Sequence, residues 1–154
     1  MNFSALSEDF FTHEYFMKEA LKEAKKAFHE NEVPVGCVVV CQNKIIGKGY
    51  NLTEKLNDVT AHAEMQAITA ASNYLGAKYL IDCTLYVTIE PCVMCAGALF
   101  WSQIERLVYA ASDGKRGFSK LGNLLHPKTE IIKGIHEKEA SELMTTFFKN
   151  LRET

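Results

Sequence analysis

The spacing of apolar residues predicts that helices and strands alternate along the chain. Residues 12–29 have a helical repeat of apolar positions among lysines and glutamates, with an apolar face made of Phe16, Ala20, Ala24, Ala27 and Phe28. The stretches VGCVVVCQ and KIIGKGY then predict two strands. Gln42-Asn43 between them is typical of a short hairpin turn.

The second half of the chain continues the alternation. A helix is predicted from about 62 to 74, a strand over 83–89 (CTLYVTI), a helix that Pro91 opens and that runs to about 101, and a strand over 105–111. EIIKGI is a weaker candidate for a fifth strand, and KEASELMTTFFKNL predicts a closing helix. This order favours an α/β fold in which a mixed sheet is covered by helices on both faces.

Length and composition narrow the classes of protein. At 154 residues we expect a single domain spanning 1–154. A net charge of −2 argues against wholesale wrapping of nucleic acid but allows a local basic patch. The first residues, MNFSALSEDF, lack the pattern of a signal peptide, and the longest nearly apolar run, CVMCAGALFW, is too short to cross a membrane. We therefore expect a soluble, cytoplasmic protein.

The cysteines point to metal binding or packing. There are five, at positions 37, 41, 83, 92 and 95, and an odd number in an intracellular chain argues against a disulfide framework. Cys37, Cys41 and Cys83 fall in predicted strands, where they are best interpreted as small packed hydrophobes.

Two short motifs together indicate a zinc site. In EPCVMCAGA, Cys92 and Cys95 are three apart and share one face of the predicted helix, whose N-terminus favours the thiolate form. His62, in TAHAEMQAI, adds an imidazole, and one imidazole with two thiolates suits zinc. A fourth protein ligand is not evident from the sequence. A catalytic zinc site keeps that position for water.

Glu64 gives this site a proton carrier. Positions two apart point to nearly opposite sides of a regular helix, so His62 and Glu64 face one metal only if His62 lies at the mouth of the helix. An isolated His-x-Glu is usually a surface feature. An isolated Cys-x-x-Cys is a metal or redox site only about half of the time, and a redox role is compatible with its place near a strand and a helix. His-x-Glu followed by Pro-Cys-x-x-Cys is the signature of zinc-dependent base deaminases.

The chain resembles the tRNA-specific adenosine deaminase family over nearly its whole length. The similarity runs through EVPVGCVVV, GYN, TAHAEMQAI, CTLYVTIEPCVMCAGAL, RLVYAASDGKRG and the late FFK. The resemblance implies a three-layer α/β/α cytidine-deaminase-like fold with a mixed five-stranded sheet, and a homodimer with one zinc ion per subunit. It also implies a hydrolase that uses water to convert the wobble adenosine of a tRNA anticodon to inosine.

The same resemblance assigns roles to residues. It makes His62, Cys92 and Cys95 the zinc ligands and Glu64 the proton shuttle. It also implies a set of residues that contact the substrate: Asn51, Ala63, Asp113, Lys115, Phe147, Phe148 and Lys149. From the sequence pattern alone, Asn51 is equally a strand-end turn residue, the Asp113 loop a solvated turn, and the phenylalanine pair ordinary core. Val59 and the stretch LLHPK, which includes His126 to Lys128, depart from the family pattern, so the resemblance assigns no RNA contacts around His126 to Lys128.

Alternatives remain for assembly and function. The helix after Pro91 is apolar almost all round, which indicates a second apolar surface, either within one subunit or in a dimer interface. A deaminase of a free base or nucleoside would use the same zinc chemistry. A non-catalytic, zinc-stabilised binding module would instead need four protein ligands and would not need Glu64.

Overall fold

A computed structural model describes residues 10–154, and its elements follow the predicted order. The helices are α1 (His13–His29), α2 (Ala63–Leu75), α3 (Val93–Ser102) and α4 (Glu137–Arg152). The strands are β1 (Gly36–Cys41), β2 (Lys44–Tyr50), β3 (Cys83–Ile89), β4 (Arg106–Ala111) and β5 (Glu130–Lys133), with a short 3-10 helix over Phe118–Leu121. The expectation that no signal peptide is present concerns residues 1–9, which lie outside the described residues.

The five strands form one mixed sheet in the order β2-β1-β3-β4-β5. β1 is antiparallel to both β2 and β3, whereas β3, β4 and β5 run parallel to one another. The predicted hairpin is confirmed: Gln42 and Asn43 both have left-handed backbone angles, with φ of 50° and 61°, as the tightest hairpin turns require. The weaker candidate, EIIKGI, supplies the edge strand β5.

Helices cover both faces of the sheet, so the predicted three-layer α/β/α architecture is confirmed. On one face, α2 and α3 pack on the odd-numbered residues of β1 and β3, including Cys37, Val39, Leu85 and Val87. On the other face, α1 and α4 pack on the even-numbered residues of the same strands. This alternation follows from the period-two geometry of strands. In residues 10–154 there is no helix with both the length and the apolar character needed to span a bilayer.

Candidate active site

His62 lies at the mouth of α2, as the spacing of His62 and Glu64 requires. It is the N-cap residue, with an extended backbone at φ −74° and ψ 156°, and the helix begins at Ala63. Glu64 is therefore in the first helical turn while His62 is still outside the helix. Because the backbone is irregular between them, two side chains that a regular helix would separate can face the same point.

Cys92 and Cys95 occupy the start of α3. Cys92 is the N-cap residue with an extended backbone, and Cys95 is the third residue of the helix. The prediction that Pro91 opens this helix is wrong by two residues: the helix begins at Val93, and Pro91 precedes the N-cap residue Cys92. The helix cannot begin earlier because Cys92 has ψ of 176°, outside the helical region. Both cysteines still lie in the electropositive first turn.

The three predicted ligands converge. Nδ1 of His62 lies 3.6 Å from Sγ of Cys92 and 3.5 Å from Sγ of Cys95. All three donor atoms lie within 4.8 Å of one another, and within residues 10–154 no fourth His, Cys, Asp or Glu belongs to this group. A three-ligand set is typical of catalytic zinc sites, whereas structural zinc sites have four protein ligands.

The electrostatics of the two thiols fit a divalent cation. Hydrogen bonds from Cys95 and His62 lower the pKa of Cys92 to about 3. The pKa of Cys95 is raised well above its usual value, because Cys92 already holds the negative charge and because Cys95 is buried beside Glu64. The protein alone therefore stabilises one thiolate here and not two. A cation between the sulfurs would allow both to ionise, and this donor set suits zinc.

Glu64 lies beside the cluster without belonging to it. Its side chain is only 4% exposed, and the carboxyl lies near His62, Cys92 and Cys95, whose charges and polar groups act on its pKa. Burial raises the pKa of Glu64 above the usual range of a glutamate, because desolvation penalises the carboxylate. A buried carboxyl with a raised pKa exchanges a proton more readily near neutral pH than an exposed carboxyl does.

Asn51 and Ala63 are both buried near the mouth of α2. Asn51 follows β2 directly, and its Oδ1 accepts a hydrogen bond of 3.2 Å from the backbone N–H of Thr53. Asn51 therefore does act as the strand-end turn residue that the sequence pattern allowed. It occupies the amide oxygen, and within residues 10–154 the side-chain nitrogen makes no hydrogen bond. Ala63 is fully buried, and its carbonyl oxygen abuts Gly49 of β2 so closely that a Cβ on Gly49 would overlap it.

The loop that contains Asp113 and Lys115 is ordered by its own backbone. Oδ1 of Asp113 accepts hydrogen bonds of 3.0 Å from the N–H groups of Lys115 and Arg116. The side chains of Lys115 and Arg116 are exposed. The loop therefore presents two cations to solvent on a fixed turn.

Glu90 is a residue that holds a loop beside the cluster and that the sequence interpretation missed. It is 5% exposed, and its carboxylate accepts hydrogen bonds from the N–H groups of Asp113 (3.1 Å) and Ser119 (3.0 Å). A Cβ at Gly117 would overlap this carboxylate, so the loop needs glycine there. Because Glu90 lies two positions before Cys92, it fixes the Asp113 loop beside the metal cluster. An acid directly after a strand rich in β-branched and aromatic residues was the available signal.

The end of α4 reaches the turn that follows Asn51. Phe147 is 9% exposed and packs edge-on against Phe28, with 6.2 Å between ring centroids, so it is partly core. Phe148 and Lys149 are exposed. The two phenylalanines line a cavity of about 740 Å³ together with residues 53–55 and the segment 30–33 that follows α1.

A second buried acid, Glu32, holds that turn. Its carboxylate is 1% exposed and accepts hydrogen bonds from the N–H groups of Glu54 (2.8 Å) and Lys55 (3.2 Å). Glu32 and Glu90 thus hold two separate loops in the same way, each with one buried carboxylate that accepts from two backbone N–H groups.

The fold and the three-donor site are those of a zinc-dependent deaminase. Residues 11–111, well over half of the chain, match the family model described as the cytidine and deoxycytidylate deaminase zinc-binding region. This match and the His62, Cys92 and Cys95 cluster agree on one zinc ion per chain. The protein is therefore a hydrolytic, zinc-dependent enzyme.

Individual relatives show to which branch of the zinc-dependent deaminases the chain belongs. A tRNA-specific adenosine deaminase from Aquifex aeolicus is 49% identical over 144 residues, which cover 90% of this chain and 95% of the relative. A solved structure from work on A-to-I editing by tRNA:A34 deaminases superposes with a TM-score of 0.79 at 40% identity, covering 84% of this chain and 98% of that one. A guanine deaminase from Nitrosomonas europaea has a TM-score of 0.77 at 26% identity, covering 87% and 83%. The chain belongs to the family of tRNA-specific adenosine deaminases.

Proposed function

We propose that this protein hydrolyses the wobble adenosine of a tRNA anticodon to inosine and releases ammonia. The observation that carries the proposal is the three-donor cluster with the buried Glu64 carboxyl directly beside it. The 49% identity to a tRNA-specific adenosine deaminase supports the choice of adenosine in tRNA as substrate. We also propose that residues 1–154 act as a single domain and that the protein works in the cytoplasm, where its tRNA substrate is found.

In the proposed mechanism His62, Cys92 and Cys95 hold the zinc ion. A zinc ion bound there would act as a Lewis acid and would lower the pKa of a water molecule to about 7. Glu64 accepts a proton from the attacking water and delivers it to N1 of the adenine ring. It then accepts the proton of the new C6 hydroxyl and delivers it to the amino group, which leaves C6 as ammonia. One water is consumed and one ammonia leaves, so Glu64 ends each cycle in the form in which it began.

The remaining predicted residues hold the RNA in this proposal. The target base must leave its stack to reach a buried carboxyl, so its neighbours need support outside the pocket. Asn51 and Ala63 contact the base, and the exposed Lys115 and Lys149 contact phosphates. Phe147 and Phe148 contribute the aromatic wall of the cavity beside residues 53–55. Few cations take part, which is compatible with a net charge of −2.

The test compares inosine formation in an anticodon stem-loop with ammonia release from free bases and a free nucleoside. Purified zinc-loaded protein is incubated with an anticodon stem-loop that carries adenosine at the wobble position, and in parallel with guanine, cytosine and adenosine. We expect inosine at the wobble position, with little ammonia from the free compounds. The second candidate function, a free-base deaminase, is suggested by the resemblance to a guanine deaminase. Ammonia from guanine or cytosine without inosine in the RNA would select that candidate.

Glu90→Gln is expected to weaken RNA binding without loss of zinc. Glutamine can accept only one of the two backbone hydrogen bonds, because its NH₂ group would face the other N–H donor. We expect the Kd for the anticodon stem-loop to rise roughly 5- to 30-fold, as for loss of a charge-assisted hydrogen bond. Fluorescence anisotropy would measure it. Glu23, an equally buried acid on α1 that pairs with Lys26, provides the matched control variant Glu23→Gln. Equal affinities for the two variants would contradict the loop's proposed role.

We also propose that α3 is the interface of a homodimer. On this apolar helix, Val93 is 49% exposed and Trp101 is 75% exposed. Large exposed apolar side chains are typical of protein interfaces. Trp101→Glu is expected to convert the protein from dimer to monomer, as measured by sedimentation velocity. Leu151→Glu, on the opposite layer and 58% exposed, is the control and should stay dimeric. A wild-type protein that sediments as a monomer at micromolar concentration would overturn the proposal.

A further inference from the structure

Two cysteines outside the active site face each other across neighbouring strands. Cys41, the last residue of β1, is in direct register with Cys83, the first residue of β3, and these two strands are antiparallel. Residues directly opposite in an antiparallel pair project from the same face, with Cβ atoms about 4.5–5.5 Å apart. Both thiols are free, so the sheet carries a pair of adjacent thiols.

The hydrogen-bond pattern places this pair at the position where side chains come closest. The N–H of Cys83 donates to the carbonyl of Leu80 (3.2 Å), and its C=O accepts from the N–H of Glu105 (3.1 Å). Both groups are thus committed away from Cys41, which makes this a non-hydrogen-bonded pair. Such pairs have Cα atoms about 4.5 Å apart. That separation falls within the range of about 4.4–6.8 Å that disulfides need.

The two thiols differ in access to solvent. Cys83 is fully buried, whereas Cys41, beside the hairpin turn, is half-buried. Burial, followed by the charge of the neighbouring Cys41, raises the pKa of Cys83 to about 12. The Cys83 thiol donates a hydrogen bond of 3.6 Å to the carbonyl oxygen of Ile81. A reagent from solvent therefore meets Cys41 first, and Cys83 is available only to a partner already inside the sheet.

We propose that Cys41 and Cys83 form a redox-active dithiol that closes to a disulfide by exchange with a small-molecule disulfide such as glutathione disulfide. In the first step the Cys41 sulfur attacks one sulfur of glutathione disulfide, breaks its S–S bond and releases one glutathione. In the second step the Cys83 sulfur attacks Cys41 in the mixed disulfide and releases the second glutathione. The protein loses two electrons and two protons, and one glutathione disulfide becomes two glutathione molecules.

The closed form should stabilise the fold without disturbing the metal cluster. Cys83 and Ile89 are the two ends of β3, and at about 3.3 Å per residue they are roughly 20 Å apart. The zinc-binding motif follows the far end of the strand. The new bond would close the chain segment that contains β2 and α2, so it would restrict the unfolded chain more than the native one.

The test uses the zinc-loaded protein treated with excess glutathione disulfide, then alkylated, digested and mapped by mass spectrometry. We expect a peptide pair linked through Cys41 and Cys83, unchanged zinc content, unchanged deamination of the stem-loop, and a Tm higher by roughly 5–15 °C. Cys83→Ala should stop at the glutathione adduct on Cys41. Cys37→Ala should behave as wild type, because Cys37 lies opposite Val87 and has no sulfur partner.

Specific results would overturn the proposal. One is a wild-type protein that keeps a stable glutathione adduct on Cys41, because Cys83 would then be unable to complete the exchange. Another is a wild-type protein with both thiols unmodified under conditions that fully oxidise dithiothreitol. A third is oxidation that joins Cys92 to Cys95 with loss of zinc while Cys41 and Cys83 stay free. If Cys83→Ala does not fold, Cys41→Ala tests the first step instead. It should leave the buried Cys83 without any adduct, and a glutathione adduct on Cys83 in this variant would overturn the proposed order of attack.

Discussion

Replacement of Glu64 by glutamine is expected to abolish turnover while zinc and the fold are retained. Glutamine has nearly the same volume and can occupy the same buried site, but it cannot accept and return a proton. A positioned general acid–base contributes about 10²–10⁴-fold to a rate, and Glu64 is proposed to act in several proton transfers of one cycle. We therefore expect kcat on the anticodon stem-loop to fall by about 10³-fold or more.

The structure gives a physical reason for the variant to fold. Burial raises the pKa of Glu64, because desolvation penalises the charged carboxylate in the folded protein. A neutral amide avoids that penalty. Zinc content by mass spectrometry and Tm should match the wild-type values, and Glu23→Gln, another buried acid, should keep full activity. A Glu64→Gln enzyme with normal turnover would remove this residue from the mechanism.

Loss of one member of the donor cluster is expected to cost the protein its zinc. With only two donors left, His62→Ala or Cys92→Ala should weaken zinc binding by at least about 100-fold, since even loss of an outer-shell partner costs 10- to 100-fold. After dialysis against a mild chelator we expect little zinc, no deamination and a lower Tm. Cys41→Ala, which removes a half-buried thiol far from the cluster, is the matched control and should retain one zinc ion per chain. Full zinc content in Cys92→Ala after dialysis would show that other residues bind the metal.

The same cluster predicts how zinc retention depends on pH. Without a cation the pKa of Cys95 is well above its usual value, so zinc binding must displace the proton of Cys95. Lower pH therefore favours the metal-free protein, and zinc should be lost to a chelator more readily as the pH falls.

The metal cluster was predictable from the sequence because its members lie in short local motifs. Two cysteines three apart and a His-x-Glu at a helix start bring their own geometry, and only the approach of the two motifs needs the fold. The exact start of the helix after Pro91 was harder to predict from the sequence. Proline is compatible with several positions near a helix start, and the choice between them depends on the extended backbone of Cys92.

The loop supports could not be predicted in the same way. Glu90 binds backbone N–H groups of Asp113 and Ser119, which are 23 and 29 positions away along the chain. Nothing local to either segment encodes that contact, and an acid is normally expected at the surface. The dual character of Asn51 and Phe147 has a similar cause. One side chain can complete a turn or the core and still border a cavity.

The most direct test of the central claim is X-ray absorption spectroscopy at the zinc edge of the purified protein. The account predicts two sulfur ligands at about 2.3 Å, one imidazole nitrogen at about 2.0 Å, and one light-atom ligand from solvent. That pattern would correspond to Cys92, Cys95, His62 and a site open to water. A zinc ion with four protein ligands, or with a third sulfur, would contradict it, because no position would remain for the water that the reaction consumes.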